Sequence, residues 1–586
     1  MGSNGFMQKK KRFIAKASLA SIVFAFAQSP SQISAAENLT KLAELQSQSQ
    51  SQKVLRIGIG AEPSSLDPQL ATGAPARQVF KGLFEGLVVE DSRGSHALPG
   101  IAKSWDISPD GLTYTFHLRN SSDTSGNAKW STGDPITAYD FLESFQRVLS
   151  PKFPAQQKAM LYAIRGAEQF ASAKDGKEKS SSDFSSVGVK ALDASTLEII
   201  LERPTPYLLD LIANQYIWDP VPICVFKKNH KEEQFVDGSW ARPDNIVTDG
   251  PFNLIEFKHA QRIVVEKSAS YWNKDAVALN RIELYPISDS NAEEALYRTG
   301  KLDITSTLPL SKIDVYLKEN PQALQIAPYA GVFFLRFNTK NTNSATPQLA
   351  DARVRKALAL GIDRKSLVRN VTRGGQLPAY TLTYPNLGGY GDGYTSINNE
   401  QSNNETNNLA KAKQLLADAG YPDGRGFPQT ELLYNTNPNL VAISEALQAM
   451  WQKNLGVHIE LRNQEFGVLQ TAQKTGDYQI ARAGWVADYA DESSFLDLLT
   501  SANPNNMTGW HNAAYDALAA QAHSTVSQSS RNEIYSTMAR MVDDEMPVLP
   551  IYYMTQVRLV SPNVKNYNPT LFDSHPLKDI SLQAQK

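Results

Sequence analysis

The chain has 586 residues, with 58 Lys and Arg against 60 Asp and Glu, a formal net charge of -2 at pH 7. That balance lacks the clustered basic excess of a nucleic-acid surface, and 41% hydrophobic with 20% charged residues is the composition of an ordinary water-soluble chain. A chain this long buries enough apolar surface to need no cross-links, and its one cysteine, Cys224 in Val-Pro-Ile-Cys-Val-Phe, cannot form an internal disulfide; it is expected as a small buried core residue.

Lys9, Lys10, Lys11 and Arg12 precede an apolar run from Ala17 to Ala27, and Ser34-Ala35-Ala36 offers a small-residue cleavage point. This is the pattern of a secretory signal peptide over 1–36, and the run is too short to cross a bilayer. No cysteine stands near the cleavage point to carry a lipid anchor. Phe6 occupies the place where a myristoylation signal needs Ser or Thr. The mature chain is expected in the periplasm. The alternating Gln and Ser from Gln46 to Gln52 cannot bury apolar area, so 37–53 reads as a flexible leader.

Order is expected from Val54 to Ile59, which alternates as a strand does. Further strands are expected over Thr113–Leu118, Thr196–Leu201, Arg262–Glu266, Arg281–Pro286, Val332–Asn338 and His458–Arg462. Helices are expected over Asp351–Leu360, Leu409–Ala419 with Gly420 as a stop, Leu440–Lys453 and Arg531–Asp543. Ala171–Ser186 and Asn398–Asn408 read as polar surface loops. Mixed strands and helices without a repeat give an α/β protein.

Enzyme and metal signatures are missing. There is no Gly-x-Ser-x-Gly elbow and no His-Glu-x-x-His pair. Gly58-x-Gly60 follows a strand, but Pro63 stands where a dinucleotide fingerprint has its third glycine. The eight histidines show no pair at ligand spacing. The chain is therefore expected to be no enzyme and to need no metal or cofactor.

The densest unusual segment is Ala481-Arg-Ala-Gly-Trp-Val-Ala-Asp488-Tyr-Ala-Asp491. Gly484 admits close approach of another backbone, and Trp485 can wall a pocket. Arg482 and Asp488, six residues apart, stand about 20 Å apart if extended at ~3.3 Å per residue, too far to pair. Each is then open to an opposite charge on a ligand with separated ends, such as a short peptide. Spacing alone favours the plainer alternative, two structural ion pairs with remote partners.

This segment resembles the signature of the dipeptide- and oligopeptide-binding proteins of ABC importers (solute-binding protein family 5). Other stretches are similar to that family over nearly the whole mature chain: Glu62-Pro-Ser-Ser-Leu-Asp67-Pro68, Leu83-Phe-Glu-Gly-Leu87, Thr248-Asp-Gly-Pro-Phe252, Asp351-Ala-Arg-Val-Arg-Lys-Ala-Leu-Ala-Leu-Gly-Ile-Asp363-Arg364, Asn463-Gln-Glu465 and Pro550-Ile-Tyr-Tyr553. The resemblance implies a periplasmic-binding-protein type II-like fold, two lobes with a hinge plus an inserted domain. Lobe I would comprise 54–84, 222–330 and 555–586, the insert 85–221, and lobe II 331–554.

It also implies roles. Asp488 would hold the peptide's α-amino group and Arg482 its carboxylate at some lengths. Gly484 and Val486 would lend main-chain groups, with Thr72, Gly73 and Ala74 on the peptide's other side. Trp485 and Phe466 would line side-chain pockets. A lysine and a histidine that hold the peptide's C-terminus in some relatives fall on Thr372 and Leu440, and Arg373 is a candidate replacement. A disulfide of some relatives falls on Gly331 and Val486 and cannot form. The implied partners are a short peptide and an inner-membrane ABC permease, with the receptor a monomer. Other cargo (a murein tripeptide, a metal chelate or haem) is the nearest alternative, a secreted hydrolase a more distant one.

Overall fold

The computed structural model describes residues 54–583, apart from 92–96, 121, 124–125, 174–182, 232, 237, 341–346, 386 and 388–404. The expected signal peptide and leader, most of the loop at Ala171–Ser186 and 398–404 lie outside the described residues. The remainder of the second expected loop is already helix, which runs over Glu405–Asp418.

Val54–Gly58 turns Leu55 and Ile57 inward and pairs in parallel with Arg281–Tyr285. Arg262–Lys267 and Phe252–Lys258 complete this four-stranded sheet, antiparallel. Isolated bridges link Ile57 to Ile304 and Ile304 to Val560, so the early, middle and late parts of the chain meet there. A second four-stranded sheet, wholly antiparallel, has the order Ala102–Ile107, Thr113–Leu118, Thr196–Ile200, Val189–Asp193. Its second strand alternates cleanly, with Tyr114, Phe116 and Leu118 buried. One core joins both sheets and takes in Phe80, Trp218, Tyr567 and Ile580.

The third sheet has six strands, in the order Leu377–Pro378, Val548–Leu559, Leu324–Phe337, Ile480–Val486, Thr430–Asn435, Ile459–Gln464. It is covered on both faces, which is why Val332-Phe-Phe-Leu335 is a continuous apolar run and not an alternating one. Val332 and Phe334 enter a core with Trp485, Tyr515 and Met538, while Phe333, Leu335 and Phe337 enter one with Leu358, Leu447 and Trp451. The strand at 332 starts eight residues earlier than expected, at Leu324. Together with Val548–Leu559 it forms a long antiparallel ribbon whose register breaks between Pro328 and Val332. Below the break the ribbon meets Thr305, whose Oγ1 accepts from Leu559 N at 2.9 Å; above it, the ribbon is the centre of the six-stranded sheet.

The helices have local causes. Asp351 caps Ala352–Leu360 by accepting from Arg353 N. Asn437 caps Pro438–Leu455, with proline in the first turn and Gly456 (φ 70°) just past the end. That proline lets the helix begin two residues before the expected Leu440. Glu465 caps Phe466–Thr475 through Gly467 N and Val468 N. Among the described residues no helix is long and apolar enough to cross a membrane.

Candidate functional site

The strand Ile480–Val486 carries most of the candidate residues. It pairs with the long strand from Gly331↔Val486 to Phe337↔Ile480. Ala487 N donates to Ala330 O at 2.7 Å, and this fixes the alternation: the main-chain groups of residues 487, 485 and 483 face the long strand. Those of 486, 484 and 482 face the other way. On that side Thr430–Asn435 pairs only through Leu432↔Ile480 and Leu433↔Ala481. The N–H and C=O groups of Gly484 and Val486 therefore point along an uncovered sheet edge, a ready place for an added strand. A Cβ on Gly484 would meet Met554 Cε at 2.8 Å, so the glycine answers to a flexible side chain across the sheet. Trp485 points to the opposite face and is half-buried in the core there; its indole N–H is sealed without an acceptor among the described residues.

Asp488 lies just past the strand. Ser494 Oγ accepts from its N–H at 2.8 Å, and its C=O accepts from Gln215 Nε2 at 3.0 Å. Its carboxylate receives no hydrogen bond and makes no ion pair among the described residues. Burial pushes it up to about 6, opposed only by the positive charge of Arg77 nearby. Arg77 is held by Phe572 O (3.1 Å) in the first turns of the helix Ala74–Leu83. Gly73 precedes that helix at φ 91°, a conformation natural to glycine alone, and its C=O accepts from Arg77 N. Tyr216 Oη donates to Ala71 O at 3.2 Å, next in sequence to the Gln215 that holds Asp488. Thr72, Gly73 and Ala74 thus lie between Ala71, held next to Gln215, and Arg77, whose charge acts on Asp488, with Gly73 and Ala74 exposed. Tyr489 stacks on Tyr207, centroids 4.0 Å apart and planes at 3°, closing the flank.

At the other end of the strand Arg482 Nε donates to Asn435 Oδ1 at 2.7 Å, and its guanidinium lies 5.7 Å from the ring centre of Phe466, which is 46% exposed. No carboxylate pairs with Arg482 among the described residues. Burial pulls it below the usual guanidinium value, with the nearby Tyr552 partly offsetting this. A half-buried cation and a half-buried anion thus stand without a charged partner, among the described residues, at the two ends of one open edge. The pair of structural ion pairs that spacing favoured is absent among the described residues.

Arg373 lies elsewhere. It sits at φ 55° on the surface, donating to Asn370 O and reaching Asp314 at 3.4 Å, and no described contact joins it to the other candidates. Thr372 is buried and donates to Val368 O and Gln376 Oε1. Gly331 and Val486 face each other across the sheet. Cys224 is half-buried, not fully so; desolvation pushes its thiol up to about 12, the reverse of a reactive thiolate. Sequence reasoning missed Arg77, Tyr207, Gln215 and Asn435. Only Arg77 carried a signal, standing one helical turn after Gly73.

The chain matches the model of bacterial extracellular solute-binding proteins, family 5, over residues 96–507. It is 34% identical over 519 residues to the periplasmic oligopeptide-binding protein OppA of Escherichia coli, covering 87% of this chain and 88% of that one. The murein tripeptide-binding protein MppA of Escherichia coli superposes with a TM-score of 0.75 at 34% identity, over 91% of this chain and 99% of that one. OppA of Haemophilus influenzae, solved with the peptide RPPGFSPFR, gives 0.73 at 30% identity, over 91% and 99%. Mixed sheets of this order, a free strand edge and that breadth of likeness place the chain in the extracellular solute-binding protein family 5, a family of binding proteins with a type II-like periplasmic-binding fold.

Proposed function

We propose that this protein is an extracytoplasmic receptor that binds short peptides and delivers them to an ABC permease in the inner membrane. One observation carries the reading: a half-buried carboxylate without a donor among the described residues, at the end of a strand edge that Thr430–Asn435 leaves uncovered. A peptide's ammonium answers the first and its backbone the second. Backbone pairing is blind to side chains, so affinity comes without sequence preference. The periplasmic relatives named above support the location, and the basic and apolar N-terminus supports export. The receptor works as a monomer.

The lobes are 54–84 with 222–330 and 555–586, against 331–554, with 85–221 inserted. The hinge is the ribbon at Pro328–Val332, where the register breaks. Closure buries both ends of the peptide and strengthens each charged contact. The test is calorimetry with trialanine and N-acetyl-trialanine. Acetylation is expected to cost roughly 2–5 kcal/mol, the usual penalty for losing one partner of a buried charge pair. Equal affinities would refute the role of Asp488, and hydrolysis of the peptide would overturn the receptor reading.

A further inference from the structure

Strand pairing stops at Val486, and Ala487 N makes one further bond, to Ala330 O. Asp488 is the next residue, and no strand holds it. Side chains hold its two main-chain groups instead: Ser494 Oγ accepts from its N–H at 2.8 Å, and Gln215 Nε2 donates to its C=O at 3.0 Å. A residue has only two soft backbone dihedrals, so fixing both flanking peptide groups fixes the direction in which the carboxylate leaves the chain.

Gln215 comes from the other core. It and Tyr207 bracket the short helix Leu208–Asn214, whose Leu208, Leu211 and Ile212 are buried in the core shared by the two four-stranded sheets. Leu211 N donates to Tyr207 O at 2.9 Å, and Gln215 N donates to Leu211 O at 3.0 Å, so both flanking residues are tied to the middle of that helix. Tyr207 stacks on Tyr489, the residue after Asp488, and Tyr489 Oη lies 3.3 Å from Ser493 Oγ. Among the described residues of 331–554, Tyr489 is the one hydrophobic side chain that packs against the core holding Leu208. A helix anchored in one core thus grips two consecutive residues, 488 and 489, at the margin of another.

We infer that Gln215 and Tyr207 are positioning residues for amine recognition: acting through Asp488 and its neighbour, they make selectivity for a free ammonium depend on a core to which Asp488 does not belong. The inference rests on the peptide-receptor reading above. Cohesion between the cores needs a contact somewhere; amine recognition needs it here, because a carboxylate kept from water without a partner gains by turning outward unless its backbone is held. A carboxylate left unheld must be ordered as the ligand arrives, and that ordering weakens amine binding. Backbone pairing at 484 and 486, where the strand is held by the sheet, does not draw on it.

The experiment is calorimetry on the full-length protein with trialanine and N-acetyl-trialanine, read as the ratio of their affinities. Gln215→Met keeps the side chain's length and removes the donor; Tyr207→Leu removes the stacked ring. Each is expected to shrink the wild-type ratio about tenfold, chiefly by weakening trialanine, and Tyr207→Phe is expected to recover most of what Tyr207→Leu loses. Contacts that merely pack the cores together would weaken both peptides alike, so a ratio unchanged in either variant overturns the inference for that residue. A wild-type ratio of one overturns the receptor reading instead. Hydrogen exchange on the wild-type protein decides the matter where a variant fails to fold. At matched occupancy trialanine is expected to slow exchange over 208–215 about threefold more than N-acetyl-trialanine does, and equal slowing overturns the inference.

Discussion

Two aspartates three residues apart have opposite fates. Asp491 is wholly buried and paired with Arg531, and its Oδ1 accepts from Ser493 N, Ser493 Oγ and Tyr535 Oη. Asp488 has no donor among the described residues and is lifted to about 6. The same residue type thus does structural work where the fold completes its contacts and stays available where the fold leaves them open. In the proposed function, the contrast between a saturated and an unsaturated carboxylate is what singles out Asp488 from the other aspartates.

The contrast can be broken at its saturated side first. Asp491→Ala leaves Arg531 buried with its charge uncompensated and is expected to destabilise the protein by roughly 3–5 kcal/mol in denaturant unfolding. A loss below about 1 kcal/mol would place Asp491 with the exposed pairs instead.

At the unsaturated side the lever is pH. In the empty protein Asp488 is half-protonated near 6, whereas a bound ammonium requires the carboxylate. Binding below that pH must therefore expel a proton, and affinity is expected to fall about tenfold in all between pH 7 and pH 5, with the slope approaching one factor of ten per unit only below that range. For folding the sign is the same group seen from the other side. A raised carboxyl contributes stability that is full below its unfolded value near 4 and lost as pH rises through 6. Asp488→Asn should then flatten the binding profile and make the empty protein more stable than wild type above pH 6. Glu492, pushed up to about 7 by burial, titrates in the same window. A profile that survives Asp488→Asn would therefore assign the dependence to Glu492.

The smallest effect is expected at Arg373. Its ion pair with Asp314 is about half exposed on both sides (52% and 58%), so Arg373→Ala should change stability by less than ~1 kcal/mol. Trialanine affinity should not move. A tenfold loss of affinity would return Arg373 to the site.

Much of this was readable before folding. Local chemistry announced the strands that alternate and the helix that Gly420 (φ 96°) closes, because those signals act within a turn or two. The segment from Arg482 to Asp488 stood out for its composition. What stayed hidden was the partner list. Gln215 reaches Asp488 across 273 residues of chain, and whether a carboxylate is satisfied depends on such distant donors. The open edge was hidden for the same reason, since it exists only because Thr430–Asn435 stops pairing after Ala481. Arg373 entered by adjacency to an aligned position, which says nothing of which way a surface residue turns; its described contacts are Asn370 and Asp314. The continuous run Val332–Leu335 announced a strand but not that it would extend back to Leu324 through a register break.

The uncovered edge also sets where this chain can drift over evolutionary time. In the proposed function the instrument at 484 and 486 is the peptide group, which every amino acid but proline supplies in full. A methyl added at 484 displaces little more than the tip of Met554. Letters there can wander at small cost while cargo capture persists. At 488 that same proposal makes the side chain itself the instrument, so it leaves mutation no neutral exit. Lineages descended from this receptor should accumulate variety along the rungs and none at the post.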